Sequence, residues 1–144
     1  MHPLNSHPLI QQYNASNKFG DLLGISYIIT EKGKVKYNVS IEEKHLATPF
    51  AAHGGLVATL CDSVLGIAAL SCVVEEERIV ATVEMNIKYI RPVLIKDVVT
   101  AYSEVIKAGK RLLFSEAKVF NQKNELVAVA SGTFNAYPKE KAAY

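Results

Sequence analysis

Between His53 and Leu70 the chain carries one charged side chain, Asp62, among residues that are mostly apolar or small. A carboxylate in such surroundings is costly to bury unless it is paired, hydrogen-bonded or engaged in chemistry. Two uses fit: Asp62 is satisfied by nearby hydroxyls or by a second copy of the chain, or it faces a cleft and acts as a catalytic carboxylate. Counted from Gly55, the residues Gly55, Thr59, Asp62, Ser63 and Gly66 fall at offsets 0, 4, 7, 8 and 11. That spacing puts them on one face of a helix. A narrow stripe of small and polar groups therefore runs along an otherwise apolar cylinder, with Asp62 in its middle. The stretch opens with Gly54-Gly55. A helix start offers unpaired N–H donors and the positive end of the helix dipole. Glycines there would let a carbonyl group approach the backbone, or would simply make a tight start to the helix.

Other candidate groups are scattered. His53 suits capping of the helix, with a role as a base as the second option. His45 suits anchoring of the preceding loop, with substrate contact second. Lys88, Arg91, Lys107, Lys110 and Arg111 could meet phosphate groups, for which the arginine fork is well shaped. A solvated rim is the plainer account, and it is preferred for Lys88 and Lys107. The four histidines and two cysteines show no metal-ligand spacing, so no metal and no cofactor is expected. No phosphate-loop or dinucleotide fingerprint occurs.

The elements that must hold these groups follow from the hydrophobic pattern. A run from residue 53 to 70 would make a helix of roughly 25 Å. Lys34 to Ile41 alternates polar and apolar, as a half-exposed strand does, and pairs back on a short strand over residues 25–30 across Glu31-Lys32-Gly33. Four further strands are expected over residues 78–89, 97–107, 111–121 and 126–137, joined by short turns that imply antiparallel neighbours. Residues 1–18 read as a loose segment with a possible short helix from Pro8, and Phe19 to Gly24 as a lead into the first strand, packed under the core. The main domain runs over 19–138, and 139–144 is a frayed tail. The order β-β-α-β-β-β-β gives an α+β fold in which a curved antiparallel sheet wraps one long helix. The sheet's remaining face and edges point to pairing of copies.

With 144 residues, 49% of them hydrophobic, the chain can build one domain with a substantial core. A net charge of +2 gives no case for nucleic acid. Cys61 and Cys72 lie about 16 Å apart along one helix, too far for a disulfide. They read as reduced, buried thiols, and with no signal peptide and no apolar run suited to a membrane the expected location is cytoplasmic.

This order, with His53-Gly54-Gly55 opening the helix and Asp62 nine positions after His53, resembles the hotdog-fold thioesterases. It is similar in particular to the phenylacetic-acid-degradation thioesterases and the related thioesterase superfamily member 2 group. The resemblance covers about residues 19–137 and includes the segment from Thr82 to Pro92 and the turn Gly109-Lys110-Arg111. It implies hydrolysis of an acyl-CoA thioester to a free acid and coenzyme A. It assigns the oxyanion-binding amide to Gly54, with Gly55 shaping the turn. Asp62 of the opposite subunit would be general base or nucleophile, and Thr82 would help hold the attacking water. His45, Thr48, Phe50, His53, Asn86, Arg91, Gly109, Lys110 and Arg111 would contact the substrate, the last three near the coenzyme A phosphates. It also implies a homodimer that completes the site and a homotetramer built as a dimer of dimers. The pattern His-x-Asn-x-x-Gly-x-x-His-Gly-Gly of the family departs here at Ala47 and Phe50, with Thr48 beside the missing Asn and Phe50 able to line the acyl pocket. Ala47 keeps a second function in view, a hotdog protein that binds acyl-CoA or a fatty acid without turnover. A hydratase or dehydratase of the same fold fits less well, because its Asp/His pair does not match the start of this helix.

Overall fold

The protein, described by a computed structural model over residues 1–142, is built on a six-stranded antiparallel sheet and one long helix. The strands are β1 (Ser26–Glu31), β2 (Lys34–Ser40), β3 (Arg78–Tyr89), β4 (Val98–Ala108), β5 (Leu112–Phe120) and β6 (Leu126–Pro138). In space they run β1-β2-β4-β5-β6-β3. The helices are α1 (Pro8–Ser16), α2 (Lys18–Leu23) and α3 (Gly54–Ser71). Leu60, Cys61, Val64, Leu65, Ile67 and Ala68 of α3 are fully or almost fully buried against inward residues of the sheet such as Leu113, Val119 and Phe134. This is the hotdog arrangement that the resemblance implied. By length and composition α3 could cross a membrane, but its apolar sides are the core of the sheet.

The sheet and helix are tied together at the far end of α3. Gly33, at φ +82° in the β1–β2 turn, donates its N–H to Ser71 Oγ at 2.7 Å, and Ser71 Oγ donates to Ala68 C=O at 2.7 Å. Cys72 stands 3.3 Å from where a Cβ on Gly33 would lie, so the turn sits directly on the helix end. Cys61 is fully buried and its thiol is pushed up to about 12 by that burial, with the charge of Asp62 adding to the effect. Cys72 is only half-buried, so one of the two expected buried thiols is partly open.

Three expectations need correction. Residues 1–17 are not loose. His7 Nδ1 caps α1 by accepting from Leu9 N–H at 3.3 Å, Pro8 occupies the first helical position, and Leu4 and Ile10 are buried. The Asn5 amide binds both backbone groups of Ile29, donating to its C=O at 2.8 Å and accepting from its N–H at 2.9 Å. A side chain thus imitates one more strand on the outer edge of β1. Second, Phe19 to Leu23 belong to α2, which Asn17 caps through Gly20 N–H and Gly24 ends at φ +68°. Phe19 and Leu22 point outward, 58% and 65% exposed, rather than under the core. Third, the tail is not wholly frayed: Lys139–Lys141 form a 3-10 turn, Lys139 N–H bonds Glu77 C=O, and the Lys139 and Glu77 side chains pair. The last two residues of the expected tail, 143–144, lie outside the described residues.

The opposite edge of the sheet differs. β3 is twelve residues long, and among the described residues no strand lies beyond it. Val83 is 59% and Tyr89 53% exposed.

Removing the Ser71 hydroxyl leaves the buried Gly33 N–H without its acceptor. Ser71→Ala should therefore lower unfolding stability in urea by about 1–3 kcal/mol with an unchanged denaturant slope.

Candidate active site

The start of α3 is fixed by a chain of small anchors. His45 is 3% exposed, with Nδ1 accepting from Glu42 N–H at 3.0 Å and Nε2 donating to Leu23 C=O at 2.9 Å. Both ring nitrogens are therefore used, and His45 holds the loop, the first of the two roles read from the sequence. The His45 carbonyl in turn accepts from His53 N–H at 2.7 Å. His53 Nδ1 accepts from Gly55 N–H at 2.7 Å, which is the capping role read from the sequence. A Cβ on Gly55 would stand 2.8 Å from that nitrogen, so the cap requires glycine there. Tyr89 Oη donates to Gly54 C=O at 3.0 Å, and Thr59 Oγ1 donates to Gly55 C=O at 2.8 Å. Among the described residues, the Gly54 N–H has no acceptor. One open donor thus remains at the positive end of an 18-residue helix, next to exposed backbone.

Asp62 lies two turns further on. Its carboxylate accepts from Thr82 Oγ1 at 2.8 Å. That contact depends on an irregularity of β3. Thr82 pairs with Phe134 and Glu84 with Thr133, so Val83 is an extra residue between them. The bulge shifts the alternation of the strand. Simple alternation of Val83, Met85, Ile87 and Tyr89 would send Thr82 outward; with the bulge, Thr82 shares the helix-facing side with Met85 and Tyr89. Glu84 then faces out, where Thr133 Oγ1 donates to its carboxylate at 2.6 Å. Asn86 follows Glu84 on that outer side. Within one chain it is not brought to Asp62.

Asp62 is exposed in the single chain, not buried. Gly55 is likewise exposed and Thr59, Ser63 and Gly66 are partly so: the polar stripe faces away from the chain's own sheet. A cleft of about 160 Å³ adjoins it, lined by Asp62, Ser63, Thr82, Phe134 and Tyr13 among others. Tyr13 of α1 was not foreseen. Its phenol is held up in pKa by burial and by the charge of Asp62, and it accepts from Asn17 Nδ2 at 3.1 Å.

The remaining residues fall at two ends. Leu112 pairs with Asn135, which pairs with Ala81, so the turn Gly109-Lys110-Arg111 ends near Thr82 and Asp62. Arg111 Nε donates to Asn135 Oδ1 at 3.3 Å, and Lys110 is exposed. A Cβ on Gly109 would stand 2.7 Å from Leu112 O, which fixes glycine in this turn. Arg91 lies at the other end, beside the start of α3, and donates to Leu126 C=O at 3.4 Å. Thr48 and Phe50 belong to the loop there. Thr48 Oγ1 accepts from Ala51 N–H at 3.0 Å, and Phe50 is 71% exposed. One chain therefore carries two separated halves: an open amide with Arg91 and Phe50 at one end, and Asp62, Thr82 and the basic turn at the other.

The thioesterase superfamily profile matches residues 51–128, which contain every named residue of both halves except Phe50. The chain is 30% identical over 115 residues to human acyl-coenzyme A thioesterase 13, covering 79% of this chain and 81% of the relative. Its fold superposes on the PaaI protein from the phenylacetic acid degradation operon of E. coli with a TM-score of 0.85 at 20% identity, covering 94% of each chain. A Streptococcus mutans protein bound to acetyl-CoA is similar at a TM-score of 0.73 and 25% identity, over 80% of this chain and 90% of that one.

Gly55→Ala should push the His53 ring off its cap and lower the melting temperature, by an amount equivalent to about 1 kcal/mol; His53→Ala should cost a similar amount, and the double variant little more.

Proposed function

This chain belongs to the thioesterase superfamily, and we propose that two copies of it, paired about a two-fold axis, hydrolyse acyl-CoA thioesters at sites built from both. The observation that carries this reading is a separation. The open Gly54 N–H, at the exposed start of α3, and Asp62, on the uncovered stripe, are eight residues and so about 12 Å apart along the axis. No bend of a regular helix closes that gap. An antiparallel pairing of two α3 helices does, since it sets Asp62 of each copy against Gly54 of the other.

The chemistry follows from the groups. The thioester carbonyl oxygen accepts from Gly54 N–H, where the helix dipole favours the negative charge that develops on attack. The Asp62 carboxylate of the partner takes a proton from water as the water oxygen bonds to the carbonyl carbon. The tetrahedral intermediate collapses, the C–S bond breaks, and the proton held by Asp62 passes to the departing sulfur, which restores the carboxylate and releases coenzyme A as its thiol. Thr82, donating to one carboxylate oxygen, orients Asp62 and leaves the other oxygen for the water. The same pairing brings Arg91 of one copy toward Lys110 and Arg111 of the other, a basic set suited to the phosphates of coenzyme A. Phe50 and Thr48 flank the site from the loop before α3.

The exposed edge of β3 supplies the seam between copies. The outer face of the sheet, with Tyr102 48% and Ile106 60% exposed, suits a second contact and a dimer of dimers. Unpaired thiols at Cys61 and Cys72 fit a reducing compartment such as the cytoplasm.

Complementation tests the composite site directly. Asp62→Asn should lower kcat for acyl-CoA hydrolysis by about a thousandfold. Gly54→Pro removes the open donor at a helix position that accepts proline, and should lower kcat by about a hundredfold or more. Equimolar mixing of the two inactive variants after denaturation and refolding should restore about one quarter of wild-type activity, because half the pairs then hold one intact site. Mixtures that stay inactive, with dimers present by ultracentrifugation, would sink the shared site.

A further inference from the structure

The cleft at Asp62 does not end there. A larger cavity of about 420 Å³ lies between α1 and the start of β3, and the two share Tyr13, Leu70 and Val80. They form one groove that begins at the carboxylate and passes under α1. Its walls are apolar: Leu9 and Tyr13 from α1, Leu70 from α3, Ile79 and Val80 from β3. Its far mouth is polar, with Gln12, Ser16, Asn17 and Lys139. Nothing in the hydrolytic scheme uses this space, and α1 lies outside the residues that match the superfamily profile.

We infer that the acyl chain of the substrate lies in this groove and that α1 sets the length of chain the protein accepts, a reading that rests on the proposed hydrolysis. An acyl chain is the occupant that fits. The groove is continuous with the carboxylate that must reach the carbonyl carbon, and its walls offer no partner for the charged and polar coenzyme A portion. Its length gives the class of chain. From Asp62 to Leu70 is eight residues, about 12 Å along α3. From Thr82 back to Ile79 is three strand residues, about 10 Å. An extended alkyl chain advances about 1.3 Å per carbon, so the apolar floor holds about eight to ten carbons. Longer chains meet the polar mouth and gain nothing further by burial. α1 can hold this position because His7 caps it, Ile10 is buried beneath it and Asn5 ties its approach to β1.

The test is a chain-length series on the full-length protein. kcat/KM for butanoyl-, hexanoyl-, octanoyl-, decanoyl- and hexadecanoyl-CoA should rise by up to about fourfold per methylene to eight or ten carbons, then level off. Ser16→Trp and, separately, Gln12→Trp place an indole in the mouth of the groove from exposed helix positions. Each should reduce the decanoyl-to-butanoyl ratio of kcat/KM by about tenfold or more. A ratio unchanged in both folded variants overturns the inference, as does a flat chain-length profile in the parent protein. The affinity of non-hydrolysable decanoyl and butanoyl thioethers of coenzyme A, measured by calorimetry, asks the same question without turnover. Loss of the decanoyl preference there in the tryptophan variants supports the groove even if no thioester is cleaved, whereas equal affinities overturn it. Absence of cleavage for every thioester counts against the hydrolytic reading alone.

Discussion

A regular helix holds its residues at fixed separations, and that rigidity governs this protein. α3 carries an open amide at its start and a carboxylate two turns on, and it cannot bring them together by any local adjustment. The chain's own sheet covers every apolar side of the helix and leaves the polar stripe bare. The proposed division of labour between copies follows from the shape of one helix: the two groups are on the same element, so bringing them together requires a second copy.

Precision at the two ends comes from different sources. At the start of α3 it comes from a relay of hydrogen bonds in which His45 fixes the loop, the loop fixes His53, and His53 occupies the Gly55 amide. That relay leaves one donor, and one only among those first two glycines, free for a ligand. At Asp62 it comes from a strand defect. The bulge at Val83 turns Thr82 inward while Met85, Ile87 and Tyr89 keep the helix-facing side, so Asp62 meets a hydroxyl donor. A hydroxyl donating to one carboxylate oxygen steadies the charged form and fixes its orientation.

The architecture was legible in the residues because its signals are long: an 18-residue apolar helix with a polar stripe, and strands whose alternation survives over seven to thirteen residues. The site was legible in part. Gly54, His53 and Asp62 announce themselves by type and position. The facing of Thr82 did not, because one inserted residue reverses the alternation between the two halves of β3, and nothing in the local composition marks Val83 as the insertion. The N-terminal segment was misjudged for a related reason. Its polar composition suggests a loose leader, yet Leu4 and Ile10 anchor it, and the polar residues His7, Asn5 and Asn17 serve as caps and as a strand mimic. Polar side chains spent on backbone groups look, in a sequence, the same as polar side chains spent on water. Tyr13 was missed with the segment that carries it.

The Asn5 amide has a further effect. A sheet with two bare edges is a unit that can add to itself without limit, as a ribbon. Here the Ile29 backbone groups that would receive the next strand are already taken by a side chain, so growth from β1 is stopped, while β3 stays available. With one sealed margin and one free margin, edge-to-edge addition terminates after a single step. A single asparagine near the N-terminus thereby limits how many copies the sheet itself could join, although it lies at the edge opposite β3.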